Sequence, residues 1–235
     1  MKLRDVKNVA SILVNFKVKY LKNMKKAAIL LSFLAVVSCK KNPEKFVNDK
    51  SGTTTPSQTG STQQKSVSTD KETALKAANE AVLQALHDKN YKRFSEFIHP
   101  EKGVRFSMYA FVSPEGDKLF SKSDFIKYQP TKTVFTWGAL DGSGDPYKST
   151  ITDYLIKWVY SKDFATGQVS INEFQGKGNS LNNLKDIYSQ TDFTENFIKG
   201  SGENAEMDWK CLRLVFEQLN GKYYLVGVVN DQWTI

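Results

Sequence analysis

Few side chains in this sequence combine a reactive type with a useful spacing. His99 stands before Pro100 at the end of a helical stretch. An imidazole there can serve as a general base near neutral pH, or it can simply satisfy backbone groups at a helix end. His87, in Leu86-His-Asp-Lys89, suits the negative end of a helix and reads as a surface residue. The two histidines are far apart and form no H-E-x-x-H spacing, so no metal site is expected. Asp141-x-Ser143-x-Asp145 places oxygen ligands at alternate positions, but Thr152 occupies the place where a calcium loop needs a bidentate acid. The stretch reads as a Gly-rich turn, and it lacks the lysine of a phosphate-binding loop.

Cys211 lies in an alternating run, with Cys211 and Arg213 on one strand face and Leu212, Leu214 and Phe216 on the other. A nucleophilic thiol needs a base and an electropositive setting; a packed, inert thiol is the plainer reading. Asp231 joins His99 as a catalytic candidate. Arg105, Tyr109, Trp137, Trp209, Arg213 and Trp233 are the candidates for lining a binding site. Trp158 reads as core. No cofactor motif is present.

The elements that would position these groups are preceded by an export signal. The 235 residues carry 33 Lys+Arg and 25 Asp+Glu. Residues 1–38 hold eight of the bases and one acid, Asp5, so the basic excess sits almost wholly in this leader. The near-neutral remainder has no footprint for nucleic acid. Lys22, Lys25 and Lys26 precede an apolar run, Ala27–Val37, followed by Ser38-Cys39. That order is a secretory signal, and the run is too short for a membrane span, which takes about 20 residues. Met24 reads as the start of the signal, with residues 1–23 as an upstream extension. Residues 39–69 are dominated by Ser, Thr, Gln, Asn and Lys and read as a flexible linker.

Residues 70–235 read as one α+β domain. Thr69-Asp-Lys-Glu72 fits a capping box, and Leu75, Ala78, Val82, Leu83 and Leu86 follow at helical spacing. A short helix over Tyr91–Ile98 stops before Pro100. Alternation predicts a strand over 104–112, and residues 123–128 suggest one helical turn. A strand at 133–137, a turn at 141–146, and a helix capped by Thr150 or Thr152 come next. Strands follow near 168–174 and 193–198, with a polar loop at 176–183 between them. Asn220-Gly221 is the preferred dipeptide of a type I′ hairpin turn between the last two strands.

Val36-Val-Ser-Cys39 resembles a bacterial lipobox, which implies that Cys39 is lipidated, carries palmitate-type acyl chains and begins the mature chain. Ile98–Ser107, Trp137–Pro146, Asp208–Phe216 and Asp231–Ile235 together resemble an uncharacterised family of bacterial lipoproteins. The element order is similar to the cone-shaped fold of the nuclear transport factor two and ketosteroid isomerase superfamily. There a curved, mostly antiparallel sheet wraps a long N-terminal helix and leaves a pocket. Ketosteroid isomerase uses an Asp base with Tyr and a protonated Asp. Tyr109, Asp208 and Asp231 supply those residue types here.

The expectation is a protein of the cell envelope, anchored by lipid, whose domain lies outside the cytoplasm and binds a small molecule or an envelope protein. The alternative is an envelope enzyme of isomerase or hydrolase kind working in the cone pocket. Two or more acyl chains hold a protein stably where one does not. Cys39→Ser should therefore move the protein from the membrane pellet to the soluble fraction, read by immunoblot after a salt wash. Continued sedimentation of the Ser variant would refute the lipid anchor.

Overall fold

The computed structural model describes residues 62–176 and 178–235. Cys39, the leader and most of the expected linker lie outside the described residues. Helix α1 (Thr62–His87) is followed by α2 (Tyr91–Phe97), β1 (Val104–Ser107), β2 (Lys118–Phe120) and α3 (Lys122–Tyr128). Then come the hairpin β3 (Phe135–Ala139) and β4 (Pro146–Ser149), and α4 (Ile151–Tyr154), which continues as a π-helical turn over Leu155–Val159. Strand β5 (Gln168–Ile171), α5 (Leu184–Ile187), β6 (Asp192–Ile198), β7 (Lys210–Leu219) and β8 (Lys222–Gln232) complete the chain. The six-stranded sheet has the order β2-β1-β8-β7-β6-β5 and is antiparallel except where β1 runs parallel to β8. The fold is α+β.

Helix α1 starts earlier than the capping signature suggests. Residues 62–69 are helical, so Thr69 lies inside the helix and the linker is shorter at this end. Thr62–Ser68 contains no Gly or Pro, and its Gln and Lys residues are good helix formers. Within the helix the Thr69 carbonyl accepts the Thr73 hydroxyl at 2.8 Å. The other caps behave as their residue types demand. Asn90, Ser121 and Thr150 accept the backbone N–H groups of Arg93, Asp124 and Asp153.

The strand predicted over 104–112 ends at Ser107. Met108, Ala110 and Val112 are buried as their alternation implies, but side chains, not a neighbouring strand, satisfy the backbone beyond it. Asn230 Nδ2 donates to the Met108 carbonyl, and Asn183 bonds both the N–H and the carbonyl of Val112. The predicted 168–174 strand similarly stops at Ile171, because Asn172 takes φ 57° and bonds back to Asp192 and Phe193. Asn220 and Gly221 both take positive φ, the type I′ geometry.

Both faces of the central strands are buried. On one face α1 supplies Leu75, Val82 and Leu86, and Leu212, Leu214 and Phe216 meet them. An aromatic cluster fills the same core: Phe106 has Phe94, Phe120, Phe125, Trp137 and Tyr154 within 6.5 Å. Against the other face lie Phe174, Leu184 and Tyr188, packed with Phe193, Val215 and Val229.

A polar clasp runs through the helix–sheet interface. Thr194 Oγ1 donates to Asn79 Oδ1 at 2.6 Å, and the Asn79 and Asn196 amides bond each other in both directions at 2.9 Å. Asn196 Nδ2 also reaches the Leu212 carbonyl at 3.1 Å. All three side chains are buried. Removing one partner leaves the others desolvated and unpaired, so Asn79→Ala should cost about 2–4 kcal/mol of stability. Urea unfolding of the full chain measures it, and a loss below half a kcal/mol would show that the clasp is dispensable.

Candidate functional site

Two groups of charged residues stand out at the sheet, a buried cluster and an open cleft. The buried cluster crosses three strands on the face away from α1. Arg213 stands opposite Glu195 in the β6–β7 register, and Cys211 stands opposite Asp231 in the β7–β8 register. Arg213 therefore lies between two carboxylates. Its Nε donates to Glu195 Oε2 at 2.7 Å and its Nη2 to Asp231 Oδ2 at 2.6 Å. The guanidinium lies 4.9 Å from the Phe174 ring centroid. Glu195 Oε1 accepts the backbone N–H groups of Gln175 and Gly176 at 2.5 and 2.7 Å. The cluster thus fastens the chain around Gly176 onto the sheet.

The chain passes close to the sheet along that crossing. A Cβ at Gly176 would lie 3.2 Å from Trp209 and 3.3 Å from Cys211, and one at Gly178 would lie 2.9 Å from Trp209. Trp209 is consequently buried, which settles a position whose role the sequence leaves open. Cys211 is wholly buried, and burial pushes its thiol well above the ordinary range, the opposite of an activated nucleophile. Burial also raises the Asp231 carboxyl, against the pull of Arg213. Asp231 Oδ1 and Arg213 Nη1 have no hydrogen-bond partner among the described residues.

His99 is also buried and committed to the backbone. Its Nδ1 accepts the N–H groups of Glu101 at 3.2 Å and Lys102 at 3.1 Å, an arrangement that puts the ring proton of the neutral tautomer on Nε2. Its edge meets Tyr224 at 5.9 Å. These bonds hold the turn between α2 and β1. His87 is exposed and pairs with Asp88, which raises its pKa.

The aromatic candidates go mostly to packing. Trp137 is fully buried, stacks on Tyr154 at 3.7 Å and donates to the Ser149 carbonyl. Trp158 is core, as expected. Tyr109 packs edge-on against Trp158 and accepts the N–H of Asp141 through its hydroxyl. Trp233 is half-buried. Asp141, in the Gly-rich turn, accepts the N–H of Ile235 rather than a cation. Asp208 pairs with Lys162, far from the role suggested by the isomerase resemblance. No group of three or more His, Cys, Asp or Glu side chains among the described residues could hold a metal ion.

Arg105 opens onto a cleft. The β1 alternation sends Val104 and Phe106 into the core, which leaves Arg105 facing the side of Tyr188 and Val226. The cleft encloses about 380 Å³ and is bordered by Lys102, Arg105, Tyr188, Gln190, Glu217 and Val226. Arg105 Nη1 donates to the Pro114 carbonyl at 2.7 Å, which anchors the guanidinium. Lys102 Nζ bridges both oxygens of Glu217 at 2.6 and 2.7 Å. Tyr188 leans on the sheet where Gly227 leaves room, since a Cβ there would lie 2.9 Å from its hydroxyl. Burial raises the Tyr188 pKa and the Arg105 cation opposes it. A second hollow of about 430 Å³ shares Lys102, Gln190, Thr191 and Glu217 and adds the Lys71–Asp192 pair. Two cations beside an apolar wall can bind a small carboxylate or phosphate.

Lys102, Tyr188, Gln190 and Glu217 are absent from the sequence-derived candidates. Lys102 and Glu217 are 115 positions apart, and no local pattern links them. Glu195 likewise has no local signal, since its pairing with Arg213 is set by the β6–β7 register.

No protein-family model and no curated protein matches the chain. Among solved structures it is similar to an NTF-2-like protein of unknown function from Shewanella oneidensis MR-1. The identity is 6%, the TM-score 0.29, and the match covers 69% of this chain and 99% of that one. A likeness of that size carries no inference about ligand or reaction.

The Asp231 carboxyl gives a pH signature. Its pKa is raised on folding, so the folded state holds the proton more tightly than the unfolded chain. The associated stability is complete below the unfolded value, about 3.9, and is lost as pH rises through the folded value. In urea unfolding from about pH 4 upward, the stability of the parent relative to Asp231→Asn should therefore fall with pH. A constant or rising difference would show that Arg213 outweighs desolvation.

Proposed function

We propose that this chain is an exported, lipid-anchored protein of the bacterial cell envelope whose domain binds a small anionic ligand in the Arg105 cleft. Anchoring rests on the leader: a basic segment, an eleven-residue stretch that is apolar except for Ser32, and Ser38-Cys39. In this reading attachment comes from acylated Cys39. The long helix against a mostly antiparallel sheet suits the NTF2-like arrangement expected from the element order. In this reading, however, the ligand occupies the opposite side of the sheet, because on the side that carries α1 Phe106, Trp137 and Tyr154 pack together in the core.

Binding is favoured over catalysis by one comparison. His99 and Asp231 are both spent on internal bonds, whereas Arg105 and Lys102 reach an accessible hollow. Arg105 is held by a backbone carbonyl and keeps further guanidinium donors, and Lys102 can exchange Glu217 for a ligand oxygen. The exposed Lys102–Glu217 pair is a weak competitor, since such pairs contribute about 0–1 kcal/mol.

Inorganic phosphate and succinate are suitable probes. A ligand that binds only the folded state raises Tm with concentration. Each should raise the Tm of the parent chain in a saturable way, and Arg105→Gln should abolish the rise whatever its own starting Tm. An equal rise in both proteins, or none in either, would remove the cleft from this reading.

A further inference from the structure

A second concavity lies between α2 and α3, away from the sheet face that carries Arg105. It encloses about 430 Å³, in the range of small-molecule sites. Phe125 and Tyr91 form its buried floor, and Phe125 is fixed against Phe94 at 5.3 Å. Ile126 stands in its wall with 54% of its surface exposed. A lone exposed isoleucine is unremarkable in a folded protein; one beside an aromatic floor in a hollow is a ready apolar contact.

The polar groups of the hollow divide into two sets. Ser95 and Gln129 are occupied within the protein: the Ser95 hydroxyl donates to the Lys92 carbonyl at 2.6 Å, and Gln129 Nε2 donates to Thr152 at 3.0 Å. Lys92 and Lys122 are not. The ion pairs among the described residues involve Lys71, Lys102 and Lys162 but neither of these two. Glu96 is the single acid in the lining, so the charge there is positive. The hollow therefore presents a fixed apolar surface and two ammonium groups without an internal carboxylate partner.

We propose that the α2–α3 groove binds a single-chain anionic amphiphile, with its hydrocarbon along Ile126 and Pro130, over the buried Tyr91 and Phe125, and its acid group at Lys92 and Lys122. The occupant is a free molecule of fatty-acid type rather than a membrane surface, because the apolar contact is concave and its floor is buried. Helices of seven residues are about 10 Å long, a length that a hydrocarbon chain can follow. The site is independent of the Arg105 cleft, and its ligand is of a different class from the small anions assigned there.

The test uses the full-length chain with Cys39→Ser, so that no acyl anchor competes. Laurate is titrated below its micellar concentration by calorimetry. Saturable binding of one laurate is expected, and dodecanol, which has the same chain without the charge, should bind more weakly. Ile126→Asp should weaken laurate about tenfold or more, through lost apolar contact and like charge. Lys92→Glu combined with Lys122→Glu should weaken laurate while leaving dodecanol nearly unchanged. Both sets of changes are at accessible positions, and circular dichroism checks that each variant is folded. Absent or non-saturable binding would overturn the proposal, as would laurate binding indifferent to both variants. Binding to phosphatidylglycerol vesicles without binding of monomeric laurate would overturn it in favour of a membrane surface.

Discussion

The β7–β8 hairpin has to be dry on both sides, and the rest of the domain is arranged around that requirement. Residues Cys211–Phe216 are buried without interruption, although their side chains alternate between faces. A strand in that position cannot leave a polar group to water, so each polar side chain needs a partner inside the protein. On the α1 face the need is met by neutral amides and a hydroxyl, Asn79, Asn196 and Thr194. On the other face it is met in part by charge, with Arg213 held between Glu195 and Asp231 while Arg213 Nη1 and Asp231 Oδ1 stay unpaired among the described residues. A buried ion cluster is weak evidence for net stability, because desolvation consumes much of the attraction. Its visible effect is positional: through Glu195 it ties the Gly176 backbone across the sheet and seals Cys211 and Trp209 beneath.

That arrangement also determines where ligands can go. The core on the α1 side of the sheet is filled by aliphatic side chains and aromatic rings, and His99, Asp231 and Cys211 are turned inward. His99 holds a turn, Asp231 holds Arg213, and burial keeps Cys211 protonated. The accessible chemistry lies at the margins of the packed layers. Arg105 reaches out where β1 joins the sheet, and Lys92 and Lys122 flank the seam of two short helices. One margin suits a small anion, the other a longer amphiphile. Both uses are compatible with a domain tethered to a membrane.

Much of the fold was legible because it rests on short-range rules. The Asn220-Gly221 turn needs two residues with positive φ, and the dipeptide announces it. Thr150 and Thr152 mark a helix start in the same way, and the structure places the cap at Thr150. Misreadings arose where a local signal had a second physical use. Thr69-x-x-Glu72 matches a capping box, yet the preceding residues also favour helix and α1 runs through it. Alternation over 104–112 correctly marks burial, but β pairing needs a partner strand, and beyond Ser107 that role falls to Asn183 and Asn230.

From the residues alone come the α+β class, the main helices and strands, and the export-like leader with its cysteine, because hydrophobic period, turn chemistry and charge order act over a few neighbouring positions. The same alternation placed Cys211 and Arg213 on one strand face. It could not show that this face would be covered, since the cover comes from Phe174, Gly176 and Tyr188 elsewhere in the chain. Tertiary structure alone decided that Trp137 would be core, that Arg105 would meet Lys102 and Glu217, and that Arg213 would sit between two acids. Those outcomes depend on strand order and register, which bring distant positions together, and no local spacing encodes such proximity.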